Sequence, residues 1–302
     1  MNSYPKKILT VPQQLQAYID AGMIIPSMEE ARTALTTIGY YRLRGYNFQL
    51  YDKVSRQYSP GTTFSGTLQL YQFDLELSRL LFSMATNIEV SLRTRLCDAL
   101  LIHQDALVLN DPSVFSDKKL FWQNNSALSS QIARSNDVFI RHNFQNHEGE
   151  IPLWAAVEVM SFGTLSKTIK NLKTGNSSAY AVLADYYRYT SPRGRLVKPS
   201  LKMLSSWIHS VFVLRNICAH NSRIYNRTIN TSPELLITDR LCSRPLHNGL
   251  YQILLAMKYL RPTDDMWKGF CQKLQELFDQ YHGTFDLNCM NFPADWTEHV
   301  FI

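Results

Sequence analysis

The sequence contains no apolar run approaching the ~18 residues that a membrane-spanning helix requires, so no membrane association is expected. Its five cysteines, Cys97, Cys218, Cys242, Cys271 and Cys289, are odd in number, widely spaced and without a CxxC pair. That fits a reduced compartment better than a disulfide framework. The start of the chain is basic but lacks the apolar stretch of a signal peptide, so the expected location is cytoplasmic. There is no GxxxxGK[ST] or GxGxxG phosphate loop. His142 with His147, and His209 with His220, have no Cys, Asp or Glu partners at ligand spacing, so neither a metal nor another cofactor is expected. No Ser/His/Asp ordering is present that would support a hydrolase triad.

Acidic residues are missing from one segment in particular. From residue 186 to residue 233 there is no Asp or Glu, whereas Arg188, Arg193, Arg195, Lys198, Lys202, Arg215, Arg223 and Arg227 bring eight positive charges. The whole chain is +6, so everything outside this segment sums to −2. The basicity is therefore one local patch, the footprint of a polyanion-binding surface.

What the chain does have is core. Hydrophobic residues make up 45% of its 302 positions and aromatics 12%, enough for one large or two small folded domains. Periodicity predicts helices over 11–21 and from Ser27 through Leu35. Residues 40–51 read either as helix or as a strand running toward Tyr58, with a turn at Ser59-Pro60-Gly61. Neither Pro nor Gly occurs from 67 to 104, where a single helix of roughly 55 Å is expected. Residues 126–150 are polar and poorly periodic. Pro152 opens a helix over 153–160, Phe162-Gly163-Thr164 interrupts it, and 165–172 resumes. A helix over 179–189, a basic loop at 191–195 and closing helices over 245–260 and 264–279 complete an all-α pattern. We expect a helical bundle over 65–302 carrying the motif described next, with an N-terminal helical appendage over 1–64.

The segment 214–227, LRNICAHNSRIYNR, holds one His, three Arg and three Asn directly after an apolar helical run. Read as one helix over 202–227, it places Leu204, Trp207, Ile208, Val211, Leu214 and Cys218 on a core stripe. Asn216, His220, Arg223 and Arg227 then form a polar stripe on the other side. Arg215 lies about 100° from Asn216, back toward the core, where its charge needs a partner. Cys218 falls about 200° from His220, which argues against a Cys–His dyad.

Arg215-Asn216-Ile217-Cys218-Ala219-His220 matches the R-[polar]-x-x-x-H motif of the HEPN ribonuclease superfamily. Further blocks resemble the Abi-like abortive-infection proteins of the AbiD/AbiF type. They are Ile38-Gly39-Tyr40-Tyr41-Arg42-Leu43-Arg44-Gly45-Tyr46, Tyr71-Gln72-Phe73-Asp74, Ile88-Glu89 with Leu92-Arg93, and Pro152-Leu153-Trp154 followed by Glu158, Phe162-Gly163 and Leu165-Ser166. The resemblance implies a HEPN-like bundle and a metal-independent endoribonuclease of a toxin-like, anti-phage system. It also implies a homodimer with a composite site, and a silencing partner that is either a small noncoding RNA or an antitoxin protein.

Within that resemblance, Arg215 and His220 are the expected catalytic pair. Histidine suits proton transfer near neutral pH, and a guanidinium suits the charge of a phosphorane. On one helix the two lie about 140° apart, so a two-fold axis that opposes two motif helices would present them better. Asn216 fixes the His220 ring, binds phosphate, or is an ordinary surface residue. Arg223 and Arg227 are expected on substrate phosphates. Tyr225 either stacks on a base or belongs to the core, and Arg193, Arg195 and Lys198 either line an RNA path or form a solvated loop. Glu89, paired with Arg93 at i,i+4, either orients Arg215 or simply holds the bundle together. The competing function is a non-catalytic RNA-binding scaffold that uses the same basic cleft, which would need the arginines but not His220.

Overall fold

The computed structural model describes residues 8–242 and 249–302. It is all-α with two short hairpins. α1 (Val11–Asp20) and α2 (Met28–Thr37) open the chain. The Ser27 side chain caps α2 by accepting from the Glu30 amide, and Glu29 and Glu30 stand in the first turn, where the helix dipole favours them. The ambiguous 40–51 stretch is both helix and strand: α3 (Tyr40–Arg44) leads into the antiparallel pair β1 (Tyr51–Asp52) and β2 (Gln57–Tyr58). Leu15, Tyr18, Met23, Leu35, Leu43 and Phe64 form a small core of their own around these elements.

α4 (Phe64–Leu100) is the spine, 37 residues long and capped by Thr63 on the Gly66 amide. Phe73, Leu77, Leu81, Ile88, Leu92 and Leu96 run along it fully buried. α5 (Lys118–Arg134) and α6 (Val138–Asn146) follow, so the polar, poorly periodic stretch over 126–150 is largely helical. Its Asp117 cap and a few buried residues, Phe121, Asn124, Leu128 and Ile140, suffice, because one thin apolar seam can hold a helix with an otherwise wet surface. α7 (Leu153–Val159) has Pro152 at its cap rather than inside its first turn. α8 (Phe162–Lys170) begins at Phe162, so the Phe162-Gly163-Thr164 step starts a helix and the break falls at Met160-Ser161. The Ser161 side chain caps α8 on the Thr164 amide.

α9 (Ala179–Asp185) stops short of the expected 189, because Tyr189 enters a second hairpin, β3 (Tyr189–Thr190) with β4 (Leu196–Val197). α10 (Leu201–Ala219) is the motif helix. Leu204, Trp207, Ile208, Val211 and Leu214 are fully buried against α4, α8 and α12 (Leu250–Leu260). At about 1.5–3 kcal/mol for each large buried side chain, this seam fixes where the far end of α10 lies. α11 (Ile237–Cys242), α13 (Asp264–Gln280) and α14 (Trp296–Val300) close the bundle. The expected start of a helix at Pro245 lies outside the described residues.

Candidate functional site

The motif helix ends earlier than the spacing of its polar residues suggests. α10 stops at Ala219, His220 is its C-cap, and Asn221 takes a left-handed conformation with φ +48°. The Asn221 amide donates to the Cys218 carbonyl at 2.9 Å and the Ser222 amide to Ile217 at 3.0 Å. This is a Schellman closure with Asn at the position usually held by glycine. The stripe drawn through Asn216, His220, Arg223 and Arg227 is therefore broken after His220. The core stripe from Leu204 to Cys218 is as expected.

Arg215 points back toward α4. Its Nε lies 3.5 Å from Glu89 Oε2, its guanidinium stands over the Phe82 ring at 5.7 Å, and its Nη1 donates to Asn216 Oδ1 at 3.3 Å. Glu89 accepts from Arg93 at 2.6 Å, and Arg93 in turn donates to the carbonyls of Val157 and Glu158 on α7. Glu89 thus pairs inside its own helix and also faces Arg215. A third of the Arg215 side chain remains exposed, against 7% for Glu89. His220 is exposed, and among the described residues its ring makes no hydrogen bond or ion pair. Asn216, one turn earlier, shares its side of the helix.

The other predicted contacts are distributed differently. Arg223 turns inward, donates to the Gly45 carbonyl and stands 6.0 Å from the Tyr46 ring centre, so it ties the motif to the N-terminal unit. Tyr225 is buried, edge-on to Phe73, and its hydroxyl accepts from the Asp286 amide at 3.2 Å. It belongs to the core and cannot stack on a base. Arg227 is exposed, with one bond to the Arg223 carbonyl at 3.3 Å. Lys198 pairs with Asp185 at 2.6 Å and donates to the Ala181 carbonyl, so it is bound within the fold. Arg193 and Arg195 are exposed between β3 and β4, but at the opposite end of α10. Nineteen helical residues place the two ends about 28 Å apart.

Three residues that the linear reading left without a role converge on the motif turn. Asp74, 3% exposed, accepts from the Tyr225 amide at 2.6 Å, the Ile224 amide at 3.1 Å and the Tyr46 hydroxyl at 2.7 Å. Burial pushes its carboxyl above the ordinary range, against these hydrogen bonds and the nearby Arg223, which favour the carboxylate. Arg42, exposed on α3, donates to the Asn221 carbonyl at 2.5 Å. All three stand inside sequence blocks already singled out, 38–46 and 71–74. Farther up α10, partial burial, with Lys170 alongside, pushes the His209 imidazole below its ordinary range.

Among the described residues no three His, Cys, Asp or Glu side chains gather as a metal site, and no helix is long and apolar enough to cross a membrane. No curated protein and no solved structure gives a significant match to this chain. The family model for Abi-like proteins matches residues 33–226, a span that begins in α2, covers the Arg42–Tyr46, Asp74 and Glu89 blocks and ends one residue short of Arg227. The chain that brings these blocks together at the end of α10 belongs to the Abi-like family and has a role in abortive infection.

Proposed function

We propose that the C-terminal end of α10 is the cleavage centre of a metal-independent endoribonuclease whose activity arrests infected cells. One observation carries this reading: a partly exposed guanidinium, Arg215, is held by a buried carboxylate on the same helix end as an exposed histidine free of described partners. A helix C-terminus is the negative pole of its dipole and by itself repels phosphate. Arg215, with Arg227 beyond the turn that follows, would have to offset that pole. This makes the guanidiniums a requirement of the site.

In the proposed reaction the ribose 2′-oxygen attacks the adjacent phosphorus as a base removes its proton. The phosphorane charge lies on the oxygens gripped by Arg215, and the 5′-oxygen leaves with a proton. Histidine performs both transfers well, and two are needed, one as base and one as acid. Arg215 and His220 are about 140° apart on one helix, so a dimer supplying two of each to one cleft suits the chemistry. A cell carrying such an enzyme needs it silenced, by a small noncoding RNA or an antitoxin protein bound over the basic end. Arg188, Lys198 and Arg223, which a binding-only scaffold would also use, are engaged within the fold.

The test is cleavage of RNA by the purified protein in excess chelator, with mapping of the ends. Products bearing 2′,3′-cyclic phosphate and 5′-hydroxyl are expected. Loss of cleavage with chelator, or 5′-phosphate ends, would overturn the mechanism.

A further inference from the structure

We infer that the N-terminal unit is part of the cleavage centre: Asp74, Tyr46 and Arg42 are positioning residues that aim His220 by fixing the turn behind it. The inference rests on His220 being the proton carrier.

The His220 ring touches no described partner through a hydrogen bond or ion pair, so its direction follows from its backbone. That backbone is the last position before a left-handed residue, followed by a turn with no regular structure until Ile237. The turn is gripped at four places, Asn221, Arg223, Ile224 and Tyr225, from outside the motif. Arg42 donates to the carbonyl of Asn221, the Gly45 carbonyl accepts from Arg223, and Asp74 accepts from the amides of Ile224 and Tyr225. Tyr46 completes Asp74 from the same N-terminal segment that supplies Arg42 and Gly45.

Packing alone would have anchored this turn, because Ile224 and Tyr225 are both buried. A buried carboxylate is costly and is tolerated only when its lone pairs are met. What it adds is direction: two adjacent amides converging on Asp74 fix the backbone path in a way that apolar contacts do not. An error of about 1 Å at a reacting group costs about 10²-fold in rate, so the direction matters for a histidine that must meet a 2′-oxygen. Arg42 is the most direct member, since it holds the carbonyl of the residue next to His220.

The experiment uses the full chain in five forms: wild type, Arg42→Ala, Tyr46→Phe, Asp74→Ala and Asp74→Asn. Cleavage of a short RNA gives kcat and KM, and histidine-labelled protein gives the His220 imidazole signal, assigned by its loss in His220→Ala. Arg42 is exposed, so Arg42→Ala should fold normally. It should lower kcat about tenfold to a hundredfold with KM nearly unchanged, and it should shift or broaden the His220 signal. Asp74→Asn should rescue what Asp74→Ala loses, because the amide oxygen still accepts from Ile224 and Tyr225 while its NH2 donates to the Tyr46 hydroxyl. Tyr46→Phe should fall between them.

A rise in KM with kcat and the His220 signal unmoved would make Arg42 a substrate contact and overturn the positioning role. So would a His220 signal identical in all five forms. If the wild type does not cleave RNA, the ribonuclease reading fails by itself, while the His220 signal and amide exchange at Ile224 and Tyr225 still decide whether the turn is held from the N-terminal unit.

Discussion

Arg215 Nε lies 3.5 Å from Glu89 Oε2, and both atoms are buried without a hydrogen bond of their own. The contact is a charge pair, held close but not locked. The other oxygen of Glu89 is locked, by Arg93 at 2.6 Å, and Arg93 is tied to α7. Glu89 is thus a fixed anchor from which Arg215 can turn toward a phosphate without breaking a hydrogen bond to it. Glu89→Gln keeps an acceptor for Arg93 but removes the charge that restrains Arg215. It should cost about 1–3 kcal/mol of stability and reduce RNA cleavage at least tenfold, with a smaller loss of RNA affinity. Equal losses in affinity and rate, from a filter-binding and single-turnover pair of measurements, would assign Glu89 to the bundle alone.

His220→Ala should abolish cleavage and growth arrest while changing stability by no more than about 0.5 kcal/mol, because the side chain is exposed at a helix end. Arg215→Lys should also be inactive, since a point charge cannot reproduce a two-pronged grip on phosphate. A well-expressed His220→Ala protein that still arrests growth would remove His220 from the mechanism.

The core side of the motif helix was legible in the sequence because every third or fourth residue from Leu204 to Cys218 is apolar. The pairing of Arg215 with Glu89 was only half legible: an arginine angled toward a core needs an acid, but Glu89 could equally have been spent on Arg93 within its own helix. The stop at Ala219 was harder to see. Polar spacing continued through Arg227, and the counter-signal was a single residue, Asn221, which tolerates the left-handed conformation that ends a helix. Arg223, Tyr225 and Lys198 were placed by charge or ring type, yet their partners Gly45, Phe73 and Asp185 are set by tertiary packing, at sequence separations that no local pattern encodes. Asp74 shows the limit most clearly, since its partners lie 28 and 150 residues away.

The raised folded-state pKa of Asp74 has a definite sign in stability. A carboxyl whose pKa is higher folded than unfolded supports the fold below its unfolded pKa, and that contribution is lost as pH rises through the folded value. Asn at this position does not titrate. Measured by denaturant unfolding, wild type should therefore lose stability relative to Asp74→Asn as pH is raised from the ordinary carboxylate range toward neutrality. A wild type that instead gains on Asp74→Asn over this range would show that hydrogen bonding from Tyr46, Ile224 and Tyr225 outweighs burial.

RNA approaching His220 along α10 would meet α8 before it met the distant hairpin. Lys167 and Lys170 are exposed on α8, form no ion pair among the described residues, and Lys170 lies beside His209 on α10. With a short single-stranded RNA, Lys167→Gln with Lys170→Gln should reduce the log–log salt slope of binding by about 1.4, at roughly 0.7 for each phosphate contact. Arg193→Gln with Arg195→Gln should leave it unchanged, since those residues stand on the hairpin that precedes the start of α10, whereas His220 caps its other end. The reverse result would route the RNA over the hairpin.

Assembly is tested by mixing. One α10 presents Arg215 and His220 about 140° apart, whereas two of them opposed across a two-fold axis would place both pairs around a single cleft. The acid-free segments of two protomers repel one another, so bound RNA in the cleft should strengthen the association by mass action. If each site needs the histidines of both chains, a heterodimer of wild type with His220→Ala is dead at its only site. Activity in a randomised mixture should then follow the square of the wild-type fraction, so that an equal mixture retains about a quarter of full activity. Loss in direct proportion to the mutant fraction, or full activity in a species that sediments as a monomer, would place a complete site within one chain.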